Sequence, residues 1–182
     1  MKLDAITIRQ VVSKIFTDKR YAVHHEVGIL KHGSLRADLV ATNTKPYIVI
    51  CEIKSSVADF KSDLKWHKYL PSCNQFYFAM TDLVWAKVQH LIPKGVGTFV
   101  VNSETLHVTL KGGSTKRKVE VGRVIDVLSR CSYRAASVKL HLRKNESNGA
   151  KTVAQLVTDS VVGIKSNGAR FLAVYKTLRP YI

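Results

Sequence analysis

Asp38, Glu52 and Lys54 are the residues of this chain whose types and spacing could do chemistry. The last two sit in Pro46-Tyr-Ile-Val-Ile-Cys-Glu-Ile-Lys-Ser55, a near-continuous apolar run that turns abruptly charged. Such a run predicts a strand buried on both faces. Buried charge without a partner is strongly unfavourable, so the acid and the ammonium need a reason to be there. Side chains alternate along a strand, which puts Glu52 and Lys54 on one face roughly 6.6 Å apart. The preceding run, Arg36-Ala-Asp-Leu-Val-Ala41, is joined to it by the turn-like Thr42-Asn-Thr-Lys-Pro46. A hairpin with Asn43 opposite Tyr47 brings Asp38 directly opposite Glu52. Two acids beside one Lys suit a hard divalent cation, with the carbonyl of Ile53 as a third oxygen donor. A metal so held polarises a phosphodiester and lowers the pKa of an attacking water. Without it the two carboxylates repel, which raises the pKa of at least one. The bland alternative is an internal ion-pair cluster at a strand end.

The elements that must position these residues can be followed along the chain. Asp4 to Phe16 carries Ile8, Val11, Val12, Ile15 and Phe16 at helical spacing. Tyr21–Leu30 alternates like a strand and holds Glu26, and strands follow at about Leu35–Thr42 and Tyr47–Ser55. Ser56-Val-Ala-Asp59 matches a capping box, which starts a helix with Val57, Phe60, Leu64 and Leu70 on its apolar side, halted by Pro71. The start of that helix offers a positive dipole end for phosphate. Gln75–Met80 is an aromatic-rich strand, a short helix lies near Leu83–His90, and Gly97–Val101 with Thr105–Leu110 reads as a hairpin. A long helix over Val121–Arg143 is expected to bury Val124, Ile125, Leu128, Ala135, Val138 and Leu142. Asn145-Glu-Ser-Asn-Gly149 reads as a linker, followed by a helix over Lys151–Ile164 and a strand-like run over Arg170–Tyr175. The expected fold class is therefore α/β, with an αβββαβ core on a mixed sheet, a C-terminal basic helix and a short helix/strand extension. Residues 1–144 form the domain, and 145–182 pack on it as an extension.

Composition limits the partners. The 182 residues suffice for one domain with a proper core, and 46% hydrophobic content argues against disorder. With 29 Lys and Arg against 13 Asp and Glu, the net charge of +16 favours polyanions, nucleic acid first among them. Between Lys111 and Lys144 there are ten basic residues and two acids. Lys116-Arg117-Lys118 on a glycine-rich loop, with Arg123 and Arg130 on the long helix, are the candidates for phosphate contact. Three cysteines, Cys51, Cys73 and Cys131, lack disulfide or zinc spacing; Cys51, in the buried run, and Cys131, on the long helix, read as reduced core residues. No stretch resembles a signal peptide or a membrane span, so a cytoplasmic, nucleoid-associated protein without membrane contact is expected. His24 and His25 precede Glu26, but only His24 shares its face on a regular strand, which argues against two-histidine ligation. His67 reads as structural.

The Asp…Glu-x-Lys constellation resembles the PD-(D/E)XK nuclease superfamily, whose restriction-endonuclease-like fold matches the expected element order. A closer likeness runs through Arg36-Ala-Asp38, Glu52-Ile-Lys-Ser-Ser56, Asp59-Phe60, Asp63, Lys65-Trp66, Tyr69 and Cys73-Asn-Gln-Phe-Tyr-Phe-Ala79. That string is similar to the MmcB-type family of DNA-repair endonucleases and covers about residues 20–140. The segment around Asp38 lacks the Pro of the superfamily's name. The resemblance implies that Asp38 and Glu52 bind magnesium or manganese, that Glu26 is an earlier acid near a second metal or a bridging water, and that Lys54 positions or activates water. It further implies that Lys65, Trp66 and Tyr69 line the cleft, that Arg36 contacts nucleic acid, that DNA is the substrate in repair or recombination, and that endonuclease action is favoured over exonuclease. Many enzymes of this fold act as symmetric dimers on duplex DNA, which makes a homodimer an arrangement to test. The rival expectations are a non-catalytic nucleic-acid-binding module on the same fold, and an RNase.

Overall fold

The computed structural model describes residues 3–30 and 35–147. The chain divides into two compact units, Met1–Ala135 and Ala136–Ile182, with the whole sheet in the first. The helix and strand expected over 151–164 and 170–175 lie outside the described residues. Helix α1 (Ala5–Asp18) is capped by Asp4, whose carboxylate accepts from Thr7 N at 2.7 Å. Strands β1 (Ala22–Gly28), β2 (Arg36–Thr42) and β3 (Ile48–Lys54) follow, then α2 (Val57–Ser62), a 3-10 segment (Trp66–Ser72) and β4 (Gln75–Thr81). Helix α3 (Asp82–Val88), β5 (Gly97–Val101), β6 (Val108–Lys111) and α4 (Val121–Ser147) complete the order. The expected αβββαβ succession is present.

The strands form one six-stranded mixed sheet in the order β1-β2-β3-β4-β5-β6. β1, β2 and β3 are mutually antiparallel, β3, β4 and β5 are parallel, and β6 returns antiparallel to β5. β3 is therefore central, and all seven of its residues are buried. One face of the sheet carries Leu39, Ala41, Val49, Cys51 and Ile53 against Ile8, Val12 and Phe16 of α1. The other carries Val40, Ile48, Ile50, Phe76, Phe78 and Met80 against Tyr69, Val84, Val88, Val127 and Cys131. All three cysteines are free and buried: Cys51 and Cys131 as expected, and Cys73 as well.

Two helices depart from expectation. α2 ends at Ser62 instead of reaching Leu70, and Leu64 is 78% exposed rather than on an apolar face. The cause is Asp63: its Oδ1 accepts from Lys65 N and Trp66 N while Oδ2 lies against Lys54 Nζ, which pulls the chain out of helical geometry. At six residues, with its first turn capped by Ser56 and the Asp59 carboxylate alongside, α2 is not the dipole-based phosphate site expected. In α4 the buried stripe runs through Val127 and Cys131 with Val124 half-buried, whereas Ile125 is 60% exposed and Ala135 is exposed. The same side holds two arginines: Arg130 donates to Leu30 O at 3.2 Å and Arg134 to His25 O at 3.2 Å. These polar anchors turn the helix away from the purely apolar stripe.

Candidate active site

The antiparallel ladder between β2 and β3 ends at the pair Leu39–Cys51. One step further, where Asp38 faces Glu52, side chains take over from the backbone. Asp38 N donates to Glu52 Oε1 at 3.2 Å, and Ile53 N donates to Asp38 Oδ2 at 2.8 Å. The register expected from the turn is thus the observed one, and the two carboxylates converge where the strands part. Each retains an oxygen outside this exchange.

Lys54 shares the face of Glu52, as strand alternation requires. Its ammonium lies 2.6 Å from Asp63 Oδ2, 3.9 Å from Glu52 Oε2 and 5.9 Å from the Phe78 ring centroid. Glu52 and Lys54 are 6% and 5% exposed, so this is a charged cluster built into the core. Burial, and then the neighbouring Asp38 charge, push the Glu52 carboxyl up to about 8. Asp38 is also raised, with burial first; the Ile53 hydrogen bond opposes the shift and the Glu26 charge adds to it. Mutual repulsion therefore acts as expected, but desolvation is the larger cause. Tyr69, packed 5.8 Å from Phe76, donates to Arg36 O at 2.7 Å. Its burial and the nearby carboxylates hold its phenol well above the usual range.

Glu26 stands opposite Asp38 in the β1–β2 register, and there the pairing is interrupted. Its φ is +56°, a left-handed conformation uncommon for a non-glycine residue within a strand. Both carboxylate oxygens are engaged: Oε1 lies 2.6 Å from Arg9 Nη1 and Oε2 lies 2.9 Å from Arg36 Nε. The backbone reversal also breaks the alternation that grouped His24 with Glu26. It is His25 that reaches α1, with Nε2 2.9 Å from Ser13 Oγ. Burial lowers the pKa of both histidines.

Glu26, Asp38, Glu52, Ile53 and Lys54 line a cleft of about 470 Å³, bounded by Ile6 and Arg9 of α1 on one side and Asp59 on the other. Asp38, Glu52 and the Ile53 carbonyl make an all-oxygen donor set, and the carboxylate oxygens outside the Asp38–Glu52 exchange, that of Glu52 being 3.9 Å from Lys54 Nζ, suit a cation that keeps several waters. The fit is to this small set alone. Among the described residues no group of three or more His, Cys, Asp or Glu side chains converges as a metal cage, and Glu26 is occupied by its arginines.

The other residues singled out in the sequence fall in different places. Lys65 is exposed beside the cleft-side break after α2. Trp66 is half-buried, with ring centroids 6.0 Å from Phe76 and 6.2 Å from Phe78, so it packs as a core aromatic. His67 is exposed next to it. Lys116, Arg117 and Lys118 lie at the opposite end of the sheet from the cleft. Arg117 N donates to Asn74 O at 2.8 Å, Phe76 N donates to Ser114 Oγ at 2.9 Å and Thr115 N donates to Gly95 O at 2.9 Å. These bonds pin the glycine-rich loop to the beginnings of β4 and β5, whereas Glu52 and Lys54 sit at the end of β3, roughly 15 Å away along parallel strands. Arg123 is half-buried on α4, and Arg130 is engaged by Asp126 and Leu30 O. Sequence reading missed Arg9 altogether, because nothing in its helix marks one arginine as cleft-facing. Asp63 entered only as part of the family pattern.

Comparison with known proteins agrees with this geometry at the level of family and fold. A family model described as DNA repair protein MmcB-like matches residues 2–146. This chain belongs to the MmcB-like family. The match spans the complete sheet and both acids of the cleft, so the MmcB-like region and the described residues nearly coincide. Among solved structures, the SPO1766 protein of unknown function from Silicibacter pomeroyi is similar at 22% identity and a TM-score of 0.69. The likeness covers 80% of this chain and 96% of that one, and at this identity it concerns the fold. No curated protein matches the chain.

Proposed function

We propose that this MmcB-like protein is a magnesium- or manganese-dependent nuclease of the PD-(D/E)XK type, with a restriction-endonuclease-like core, that hydrolyses DNA phosphodiester bonds in repair. The observation that carries the reading is the convergence of Asp38 and Glu52 beside Lys54 at the parting of β2 and β3. Placing the buried Glu52 and Lys54 there beside the half-buried Asp38 costs folding energy. The family description names DNA repair, and the +16 net charge favours a polyanionic substrate.

Asp38, Glu52 and the Ile53 carbonyl would hold the cation, which when bound polarises the phosphate and acidifies a water. The chain's own groups prepare the rest. The Asp38–Ile53 and Glu52–Asp38 hydrogen bonds orient the two carboxylates. Asp63 holds the Lys54 ammonium beside Glu52, where it can orient water and offset negative charge as it develops on the phosphate. Tyr69, kept protonated, fixes the backbone of Arg36 and so the entry to β2. The buried walls keep the local dielectric low, which strengthens each of these interactions.

Supercoiled plasmid, linear duplex and single-stranded DNA and RNA incubated with magnesium, manganese or EDTA test the reading. Metal-dependent nicking of DNA is expected, abolished in Glu52→Ala and Lys54→Ala while binding survives. Cleavage that persists in both variants would locate the activity elsewhere. Binding with no cleavage of any substrate would favour the non-catalytic module, and cleavage of RNA alone would favour an RNase.

A further inference from the structure

Glu26 presents a problem that a metal-ligand role does not solve. Its left-handed backbone, φ +56°, is strained for a non-glycine residue. Both its oxygens are already bound to guanidinium groups, at 2.6 Å and 2.9 Å. The Arg36 side chain is 67% exposed, so its pair with Glu26 adds little stability, whereas Arg9 is part-buried. Stability alone therefore does not explain why Arg36 is held in this orientation. Two arginines around one carboxylate also leave a net positive charge at the rim of an otherwise acidic cleft. Apart from Glu26, neither Arg9 nor Arg36 has a side-chain hydrogen bond to an acceptor among the described residues, so most of their N–H groups remain available. Guanidinium groups held in a fixed orientation match phosphate oxygens in fork geometry.

We propose that Arg9 and Arg36, set by Glu26, form a phosphate clamp at the mouth of the cleft that grips the backbone of a nucleic acid next to the phosphodiester at Asp38 and Glu52. Glu26 is then a positioning residue, not a metal ligand. α1 supplies Arg9, β2 supplies Arg36, and the kink in β1 aims Glu26 between them. The inference rests on the nucleic-acid reading above and adds where the backbone is held. It also explains why a basic protein can accept a polyanion beside buried acids: the rim neutralises the approach. The clamp lies at the cleft, in contrast to Lys116 and Lys118 at the far end of the sheet.

The test is binding of a fluorescein-labelled DNA duplex to the full chain in EDTA, followed by anisotropy from about 50 to 200 mM salt. Each phosphate contact contributes about 0.9 to the slope of log K against log salt, so Arg9→Ala/Arg36→Ala should lower the slope by nearly 2. Arg9→Lys/Arg36→Lys should keep the slope, because charge is retained, and bind more weakly, because the fork is lost. Glu26→Gln should leave manganese affinity, measured by calorimetry, within about twofold of wild type. An unchanged slope in the double alanine variant overturns the clamp even if the protein cuts DNA, and so does a large loss of manganese affinity in Glu26→Gln. Wild-type protein that fails to bind DNA at low salt overturns the nucleic-acid reading itself. The lysine variants keep the result interpretable should the alanine variants fail to fold.

Discussion

Replacing Glu52 by Gln should make the protein more stable, and only at high pH. In the folded chain burial raises this carboxyl from an ordinary 4.5 to about 8. Each tenfold change in proton affinity corresponds to about 1.4 kcal/mol, so ionising Glu52 in the fold costs up to about 5 kcal/mol more than in the unfolded chain. That figure is a ceiling, because Asp38 beside it takes up part of the proton. The direction follows from linkage. Between about pH 4.5 and 8 the folded protein holds a proton that the unfolded chain has released, so stability falls as pH rises through this window. Below it both states are neutral at this position, and above it the folded state carries the full burden of a buried carboxylate. Gln keeps the neutral shape, and its amide oxygen can still accept from Asp38 N. The variant should match wild type near pH 4.5 and exceed it by several kcal/mol near pH 9. For a chain of this length that is roughly 10 °C or more in Tm. Thermal unfolding by circular dichroism across pH 4.5–9, in EDTA, measures the difference directly. Parallel Tm profiles for the two proteins would refute the argument, because a solvated Glu52 would show no such divergence.

Other consequences can be checked alongside. Lys54→Met leaves Asp63 and Glu52 without their buried counter-charge and should destabilise the fold by about 3–5 kcal/mol in urea titrations at pH 8; the loss should shrink at pH 5, and a loss below about 1 kcal/mol at pH 8 would contradict the burial argument. Asn74→Ala removes an acceptor for Ile48 N and a donor to Arg117 O, and should lower stability by about 2–3 kcal/mol without altering manganese binding at the opposite end of the sheet. A Cβ at Gly97 would meet the Tyr77 ring at 2.5 Å, so Gly97→Ala should destabilise by about 1–3 kcal/mol by urea denaturation; an unchanged midpoint would show that the ring moves freely.

The strands and the central pair of acids were legible because two simple rules governed them. Alternation assigned Glu52 and Lys54 to one face, and the length of the turn after Thr42 set Asp38 opposite Glu52. The continuous apolar run of β3 marked it as central. Where tertiary contacts override local pattern, the sequence misled. Asp63 breaks a helix that apolar spacing would have continued to Leu70, because Lys54 draws its carboxylate inward. The basic loop is glycine-rich, and contacts with Asn74, Phe76 and Gly95, distant in sequence, hold it in place. Arg130, a candidate for phosphate contact in the sequence, also donates to the Leu30 carbonyl, a contact no local pattern encodes. Glu26 was recognisable as a cleft acid, but its left-handed backbone and its two arginines depend on contacts among three separate elements. No periodicity encodes those contacts.

The proposed cation at Asp38 and Glu52 would displace the proton that burial favours on Glu52. Titrating manganese into the protein at pH 7 by calorimetry, in buffers of different ionisation enthalpy, counts the protons released on binding. Saturable binding at one site with about one proton released is expected, both lost in Glu52→Gln. Saturable binding that releases no proton, or that survives Glu52→Gln unchanged, would contradict it.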